Sequence, residues 1–260
     1  MNLVVPHTLA LTGIIVQARM GSTRMPGKVL LPFYGTDSIL SLLLKRVANN
    51  AAGIPVLLAT STHPADDAVA ALAGELGINC FRGHETDVLK RFTDAAEQAG
   101  FKPIIRVCAD NPFLDAGLLD ELITASLVTN ADYLSFCLLN NLPAIRSHWG
   151  IFTEYVSLEA LLRAKTETED PFYHEHVTNY IYGNPDKFNV QWINAPQGVY
   201  EDLRVRLTID TPEDFALLQQ MYADLAGSDK AITFKNILHK LAAQPELRAV
   251  MHNQIERFSK

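Results

Sequence analysis

Gly13-Ile14-Ile15-Val16-Gln17-Ala18, followed at once by Arg19-Met20-Gly21-Ser22-Thr23-Arg24-Met25-Pro26-Gly27-Lys28, is the stretch on which the reading of this chain turns. Its first six residues form a short β-branched run that predicts a strand, and the next ten form a loop rich in glycine, hydroxyl groups and cations. An amphipathic helix is expected from about Asp37 to Asn50, with Ile39, Leu42, Leu43 and Val47 spaced at three and four. Strand, loop and helix in this order open a βαβ unit, and ligands of open α/β sheets bind at the carboxyl ends of strands.

Outward from that stretch the alternation continues, which predicts a mainly parallel sheet. Strands are expected at Pro55 to Thr60, Asn79 to Arg82, Ile104 to Cys108 and Asp132 to Phe136, separated by helices from Pro64, from Asp87 to Ala99 and from Asp115 to Thr129. Regularity then weakens. Asn140 to Gly150 reads as loop, Ile151 to Val156 as strand, Leu158 to Lys165 and Phe172 to Tyr182 as helices, and Phe188 to Ile193 and Val205 to Ile209 as strands. Pro212 opens a helix as a favourable first-turn residue, and Thr233 to Phe258 reads as two helices split by Pro245.

The 260 residues carry 22 Lys+Arg against 29 Asp+Glu, a formal charge of −7, and 48% are hydrophobic. Such a chain can bury a sizeable core, and its acidity argues against binding nucleic acid or an anionic membrane surface. The charge is uneven: Met1 to Thr36 holds no acid and the cations Arg19, Arg24 and Lys28, so the remainder carries −10. No run reaches the roughly 18 apolar residues of a membrane span, and nothing cationic precedes Leu9 to Val16 in the manner of a secretory signal, so a cytoplasmic protein is expected. Cys80, Cys108 and Cys137 have neither a zinc spacing nor a disulfide pattern and read as buried thiols.

The cationic loop has the chemistry of a phosphate cradle. Gly21 and Gly27 let backbone N–H groups approach a ligand, Ser22 and Thr23 add hydroxyls, and Arg19 and Lys28 meet negative oxygens by fork and by point charge. Lys28 is followed by Val29, so the loop is no G-x-x-x-x-G-K-[ST] motif, nor is it G-x-G-x-x-G. Kinase, ATPase and dehydrogenase readings lose support accordingly.

Residues Ile14 to Lys28 resemble the signature of the cytidylyltransferases that activate acidic sugars, most closely their spore-coat polysaccharide branch. The resemblance extends through Phe81-Arg82-Gly83, Asp87-Val88-Leu89, Arg106 to Pro112, Tyr173-His174-Glu175-His176-Val177 and Leu207 to Asp214. It implies a Rossmann-like nucleotidyltransferase fold, a mainly parallel mixed sheet with helices on both faces and a smaller inserted lobe. It also implies transfer of CMP from CTP to the anomeric hydroxyl of a sugar, a divalent metal such as Mg²⁺, and a homodimer. On this reading residues 1–228 form the nucleotidyltransferase domain, with about 140–200 as the sugar-side and dimerisation lobe, and 229–260 form a helical tail.

Ala18, Arg19, Gly21, Ser22, Arg24 and Lys28 are then the nucleotide-binding residues, with Arg19 and Lys28 on the β- and γ-phosphates. Asp110 and Asp210, each expected where a strand ends, are the metal and catalytic carboxylates, since Mg²⁺ takes one or two carboxylates plus phosphate oxygens. Asp210-Thr211-Pro212-Glu213 also suits a helix N-terminus. Glu175 and His176 are expected at the sugar, as contacts or as a route for the hydroxyl proton, with core packing the alternative for His176. Arg82 is the first candidate for a sugar carboxylate, with Arg106 and Arg146 behind it. One departure stands out: the branch carries Gly-x-Asp-x-Glu where this chain has Gly150-Ile151-Phe152-Thr153-Glu154, and Phe152 neither binds metal nor accepts a sugar hydroxyl. A glycosyltransferase using a nucleotide-sugar, or a nucleotide-binding module without activity, stays open at this level.

Overall fold

A computed structural model describes residues 12–228 and 231–258. The ends of the two expected segments, 1–11, 229–230 and 259–260, lie outside the described residues. In chain order the elements are β1 (Gly13–Gln17), β2 (Pro32–Tyr34), β3 (Asp37–Ser38), α1 (Ile39–Ala48), β4 (Val56–Ser61), α2 (Asp67–Glu75), β5 (Asn79–Gly83), α3 (Val88–Ala99) and β6 (Pro103–Cys108). The second half comprises α4 (Ala116–Ser126), β7 (Tyr133–Leu138), β8 (Leu142–Pro143), β9 (Glu154–Ser157), α5 (Leu158–Glu167), α6 (Pro171–Glu175), α7 (Asn179–Gly183), β10 (Val190–Asn194), α8 (Pro212–Gly227), α9 (Phe234–Ala243) and α10 (Pro245–Phe258).

The main sheet runs β10-β7-β9-β6-β1-β4-β5, with β8 added to β7. β1 pairs in parallel with β4 and with β6, and β9 runs antiparallel between β6 and β7. Ile14, Ile15 and Val16 of β1 are all buried. Because side chains alternate across a strand, Ile14 and Val16 enter one core and Ile15 the other, so layers cover both faces. The chain steps from β1 outward to β4 and β5, then returns to β6 on β1's other side. That reversal lies between β1 and β6, where Gln17 and Cys108 are in register, and it opens a crevice at the strands' carboxyl ends.

Three expectations are corrected. Val205–Ile209 is not a strand: it is an extended segment whose Leu207 and Ile209 N–H groups donate to the carbonyls of His148 (2.7 Å) and Asp110 (3.3 Å). Phe172–Tyr182 is broken into α6 and α7, because Thr178 turns its hydroxyl to buried Glu154 (2.9 Å) at the break. Asn140–Gly150 is not all loop but contains β8 and a 3-10 turn at Ala144–Arg146. The β2–β3 hairpin has no counterpart in the sequence reading. Residues 140–200 enter the main sheet through β8, β9 and β10, and the tail packs on the principal core through Ile237, Leu241 and Met251.

Candidate active site

The loop leaving β1 is held at both ends. Ala18 N–H donates to the Ala59 carbonyl (3.3 Å), and Met20 N–H donates to Asp66 Oδ1 (2.7 Å). Asp66 is buried and also takes the Ser61 hydroxyl, so one carboxylate pins the loop to the end of β4. Gly27 has φ of +74°, a left-handed conformation open to glycine, and its N–H bonds the Met20 carbonyl (3.0 Å). This reversal delivers Lys28 into a one-turn 3-10 helix anchored by buried Val29.

Lys28 reaches across the crevice. Its ammonium lies 3.4 Å from Asp110 Oδ2 and 3.6 Å from Asp210 Oδ1, and it donates to the Ile209 carbonyl. Arg24 lies 3.7 Å from Asp210 Oδ2. Asp210 also pairs with Arg206 (3.1 Å), which is fully buried and grips Asp214 (2.7 Å) and His148 Nδ1 (2.9 Å). Burial alone would raise Asp214, but bonds from Arg206 and from the N–H groups of Asp210 and Thr211 outweigh it and hold the carboxyl below the usual range. Thr211 and Asp214 form a reciprocal capping box at α8, so the capping reading and an Asp210 facing the crevice coexist on neighbouring residues.

These groups line a cleft of about 300 Å³ that includes Ala18, Arg19, Gly21, Ser22, Arg24 and Lys28. Four cations, with Arg106 the fourth, face three carboxylates, Asp110, Glu175 and Asp210. Arg19 donates to Glu175 Oε1 (3.2 Å) and to the Glu85 carbonyl (3.3 Å). Glu175 thus lines the first cleft rather than the second cavity, whereas His176 lines both. The second cavity, about 580 Å³, is walled by Ala144–His148, Phe152, Phe172 and Tyr182, and shares Arg106, Cys108, Asp110, His176 and Asp210 with the first.

Among the described residues no group of three or more His, Cys, Asp or Glu is arranged to cage a metal. Asp110 and Asp210 nonetheless converge on one ammonium while their side chains remain 37% and 27% exposed to the cleft. Two accessible carboxylates without an all-protein cage fit Mg²⁺, which keeps waters and phosphate oxygens in its shell. Cys108 lines both cavities, and burial pushes its thiol up to about 11, so it stays protonated at neutral pH. All three cysteines are free, with Cys137 buried and Cys80 and Cys108 only partly so.

Arg82 is corrected. Its guanidinium donates to the carbonyls of Ser61 (3.0 Å) and His63 (3.1 Å) and pairs with Asp67 (2.7 Å), so it braces the β4–α2 connection and lines neither cavity. The signal that singled it out, an Arg at a strand end before glycine, does not say which way the side chain turns.

Several residues have roles that the sequence does not assign. Glu154, buried on β9, pairs with Arg106 and accepts from Tyr133 Oη (2.5 Å) and Thr178 Oγ1 (2.9 Å), joining β6, β7, β9 and the start of α7 at one carboxylate. Burial first, and then Glu154, raise the Tyr133 phenol, which therefore stays a donor. Buried Arg91 donates to the carbonyls of His84 (2.6 Å) and Glu85 (3.1 Å), sharing the latter with Arg19, and burial and Arg19 lower it to about 10. His174 uses both ring nitrogens, one on Asp87 (3.0 Å) and one on the Thr168 carbonyl (2.9 Å). Burial opposes its charge, but those two acceptors win and raise the imidazole above its ordinary value, fastening α6 to the N-terminus of α3.

Comparison with known proteins follows the same lines. A family described as cytidylyltransferase matches residues 13–249. The chain is 35% identical over 237 residues to the spore coat polysaccharide biosynthesis protein SpsF of Bacillus subtilis, covering 89% of this chain and 94% of that protein. It superimposes on a cytidylyltransferase from Leptospira borgpetersenii with a TM-score of 0.80 at 28% identity, over 91% of this chain and 96% of the other. The fold is shared with CMP:2-keto-3-deoxy-manno-octonic acid synthetase complexed with CTP, at a TM-score of 0.61 and 14% identity, over 82% and 98% of the two chains. Among the described residues no helix is long and apolar enough to cross a membrane. With the family match over residues 13–249 and the 35% identity to SpsF over 89% of its length, this chain belongs to the cytidylyltransferase family.

Proposed function

We propose that the protein transfers CMP from CTP to the anomeric hydroxyl of an acidic sugar, releasing pyrophosphate, in the synthesis of a surface polysaccharide. The observation that carries this reading is the junction of the two cavities at Asp110, His176 and Asp210. A nucleotide with its phosphates on the Arg19–Lys28 loop and a sugar in the second cavity would meet there. The matches to SpsF and to a synthetase of a CMP-linked keto-acid sugar support the donor and the acceptor class.

In this reading Arg19, Arg24 and Lys28 bind the triphosphate oxygens, aided by the Ser22 hydroxyl and the backbone near Ala18 and Gly21. Holding both substrates in line supplies much of the rate, and the loop cations stabilise charge on the departing pyrophosphate. His176 is the group placed to orient the sugar hydroxyl and accept its proton. Glu175, held by Arg19, contributes to the nucleotide side of that junction. Mg²⁺ is part of the proposal: when bound it supplies neutralising charge for the transferring phosphoryl group, and Asp110 and Asp210 are the residues that would hold it. For the sugar carboxylate, Arg106 is already committed to Glu154, whereas Arg146 is exposed on the second cavity and pairs with no carboxylate among the described residues. Arg146 is therefore assigned that role. The homodimer belongs to the same proposal and is read by light scattering.

The test is pyrophosphate release from CTP and Mg²⁺ against a panel of keto-acid sugars. Sugar-dependent release that Asp110→Asn abolishes is the expected result. CTP binding that ignores Mg²⁺, with no pyrophosphate from any sugar, would contradict it.

A further inference from the structure

We propose that His174 is a positioning residue: as an imidazolium held at both ring nitrogens it docks α6 on the ends of α3 and α5, and so sets Glu175 beside Arg19 and His176 at the junction of the two cavities. The inference rests on the proposed CMP-transfer reading and adds to it the device that aligns the proton acceptor.

α6 is a single short turn with no buried side chain, too short to hold itself in water. Tyr173 packs a half-buried ring on the second core and on Tyr180, ring centroids 5.2 Å apart. Besides that contact, α6 is tied down through His174 and through the Arg19–Glu175 pair. The His176 N–H closes the turn on the Phe172 carbonyl (3.0 Å), so His176 goes where α6 goes.

His174 stands between the ends of two helices. Its Nδ1 lies 3.0 Å from Asp87 Oδ1, the same oxygen that caps α3 by accepting the Lys90 N–H (2.8 Å). Its Nε2 lies 2.9 Å from the carbonyl of Thr168, the C-cap of α5. A carboxylate and a peptide carbonyl only accept hydrogen bonds, and a neutral imidazole carries one N–H. Both contacts are therefore made only when both nitrogens are protonated, and a neutral ring sets a lone pair against an oxygen. The cationic ring also suits the negative C-terminal end of α5.

The charged groups around the ring bear on its proton in opposite ways. Burial opposes the charge and so does Lys165 of α5, itself 3.9 Å from Asp94, but the Thr168 carbonyl and Asp87 outweigh them and raise the imidazole. On α3, Arg91 is directed at the His84 and Glu85 carbonyls and Lys90 at Asp94. A raised imidazole keeps the clamp complete at low pH and loses it as pH rises through the raised value. Removing the Asp87 charge moves that loss to lower pH.

The experiment pairs ring ¹⁵N NMR of the full chain with pyrophosphate release from CTP, Mg²⁺ and a keto-acid sugar across pH, in wild type, His174→Asn and Asp87→Asn. Asparagine caps a helix about as well as aspartate, so Asp87→Asn keeps α3 while removing the charge. The His174 ring, assigned by its loss in His174→Asn, should stay doubly protonated beyond the pH at which an ordinary histidine is half-titrated. The alkaline limb of kcat should follow that titration and lie at lower pH in Asp87→Asn. His174→Asn should lower kcat by about ten- to a hundredfold, the scale of a small misplacement, with KM for CTP little changed. Should His174→Asn not fold, the shift in Asp87→Asn identifies the ring and reads the same limb. A ring that titrates as an ordinary histidine, or a kcat limb that Asp87→Asn leaves in place, overturns the inference and leaves the CMP-transfer reading standing. No pyrophosphate from wild type with any keto-acid sugar, in a protein that still binds CTP, overturns both.

Discussion

The two cavities that meet at Asp110, His176 and Asp210 are built in opposite ways. The first cleft takes three of its four cations from ten consecutive residues, Arg19 to Lys28, fixed by Asp66 and by the left-handed turn at Gly27. The second cavity is assembled from β6 and the residues after it, the Ala144–Phe152 segment, α6, α7 and the extended chain at Thr208; the Ala144–Phe152 segment gives seven lining residues and each other piece only a few. The first is a motif on a rigid strand end, and the second exists only when distant segments pack. The difference shows in the electrostatics as well. Every carboxylate of the first cleft is in an ion pair, whereas the second combines aromatic surface with Arg146.

The largest effect expected is on stability. Arg206 is the fully buried cation that fixes Asp210 from behind, and Arg206→Met would leave Asp214 charged and unpaired in the interior. A loss of about 3–5 kcal/mol in denaturant unfolding is expected. A protein that unfolds like wild type would show that Asp210 needs no such backing. Next is Lys28→Ala, which should lower kcat by on the order of 10²–10³-fold, as removal of a preorganised charge-stabilising donor does, while the melting temperature shifts little. Near-normal turnover would break the assignment of this loop to phosphate. The smallest effect belongs to Arg82→Ala. Its partner Asp67 is two-thirds exposed, so the stability change should stay within about 1 kcal/mol, and KM for both substrates should be unchanged. A large rise in KM for the sugar would restore the role that the structure takes from Arg82.

This contrast also explains what the sequence disclosed. The strand β1, the loop and the acids after β6 were legible because local chemistry and chain order coincide there: a buried β-branched run, glycines, clustered cations, then an Asp at a strand end. Asp210 was identified for a reason only half correct. No strand precedes it, and its place is set by Arg206 and Lys28, which meet it through tertiary packing. Glu154 was hidden for a similar cause, since its three partners come from β6, β7 and the start of α7. The helix expected through Tyr182 failed because Thr178 serves that buried carboxylate rather than its own turn. Arg82 failed because a strand end fixes where a side chain begins and not where it points.

The central claim is that phosphates occupy the first cavity and the sugar acid the second. Arg24 lines only the first and Arg146 only the second, so the most direct test measures KM for CTP and for the sugar acid in Arg24→Ala and Arg146→Ala side by side. The account predicts a crossed result. Arg24→Ala raises KM for CTP and leaves that for the sugar, Arg146→Ala does the reverse, and each rise is about tenfold or more, as for loss of a charge-assisted hydrogen bond. If both variants raise the same KM, or Arg146→Ala raises neither, the division of the two cavities is contradicted.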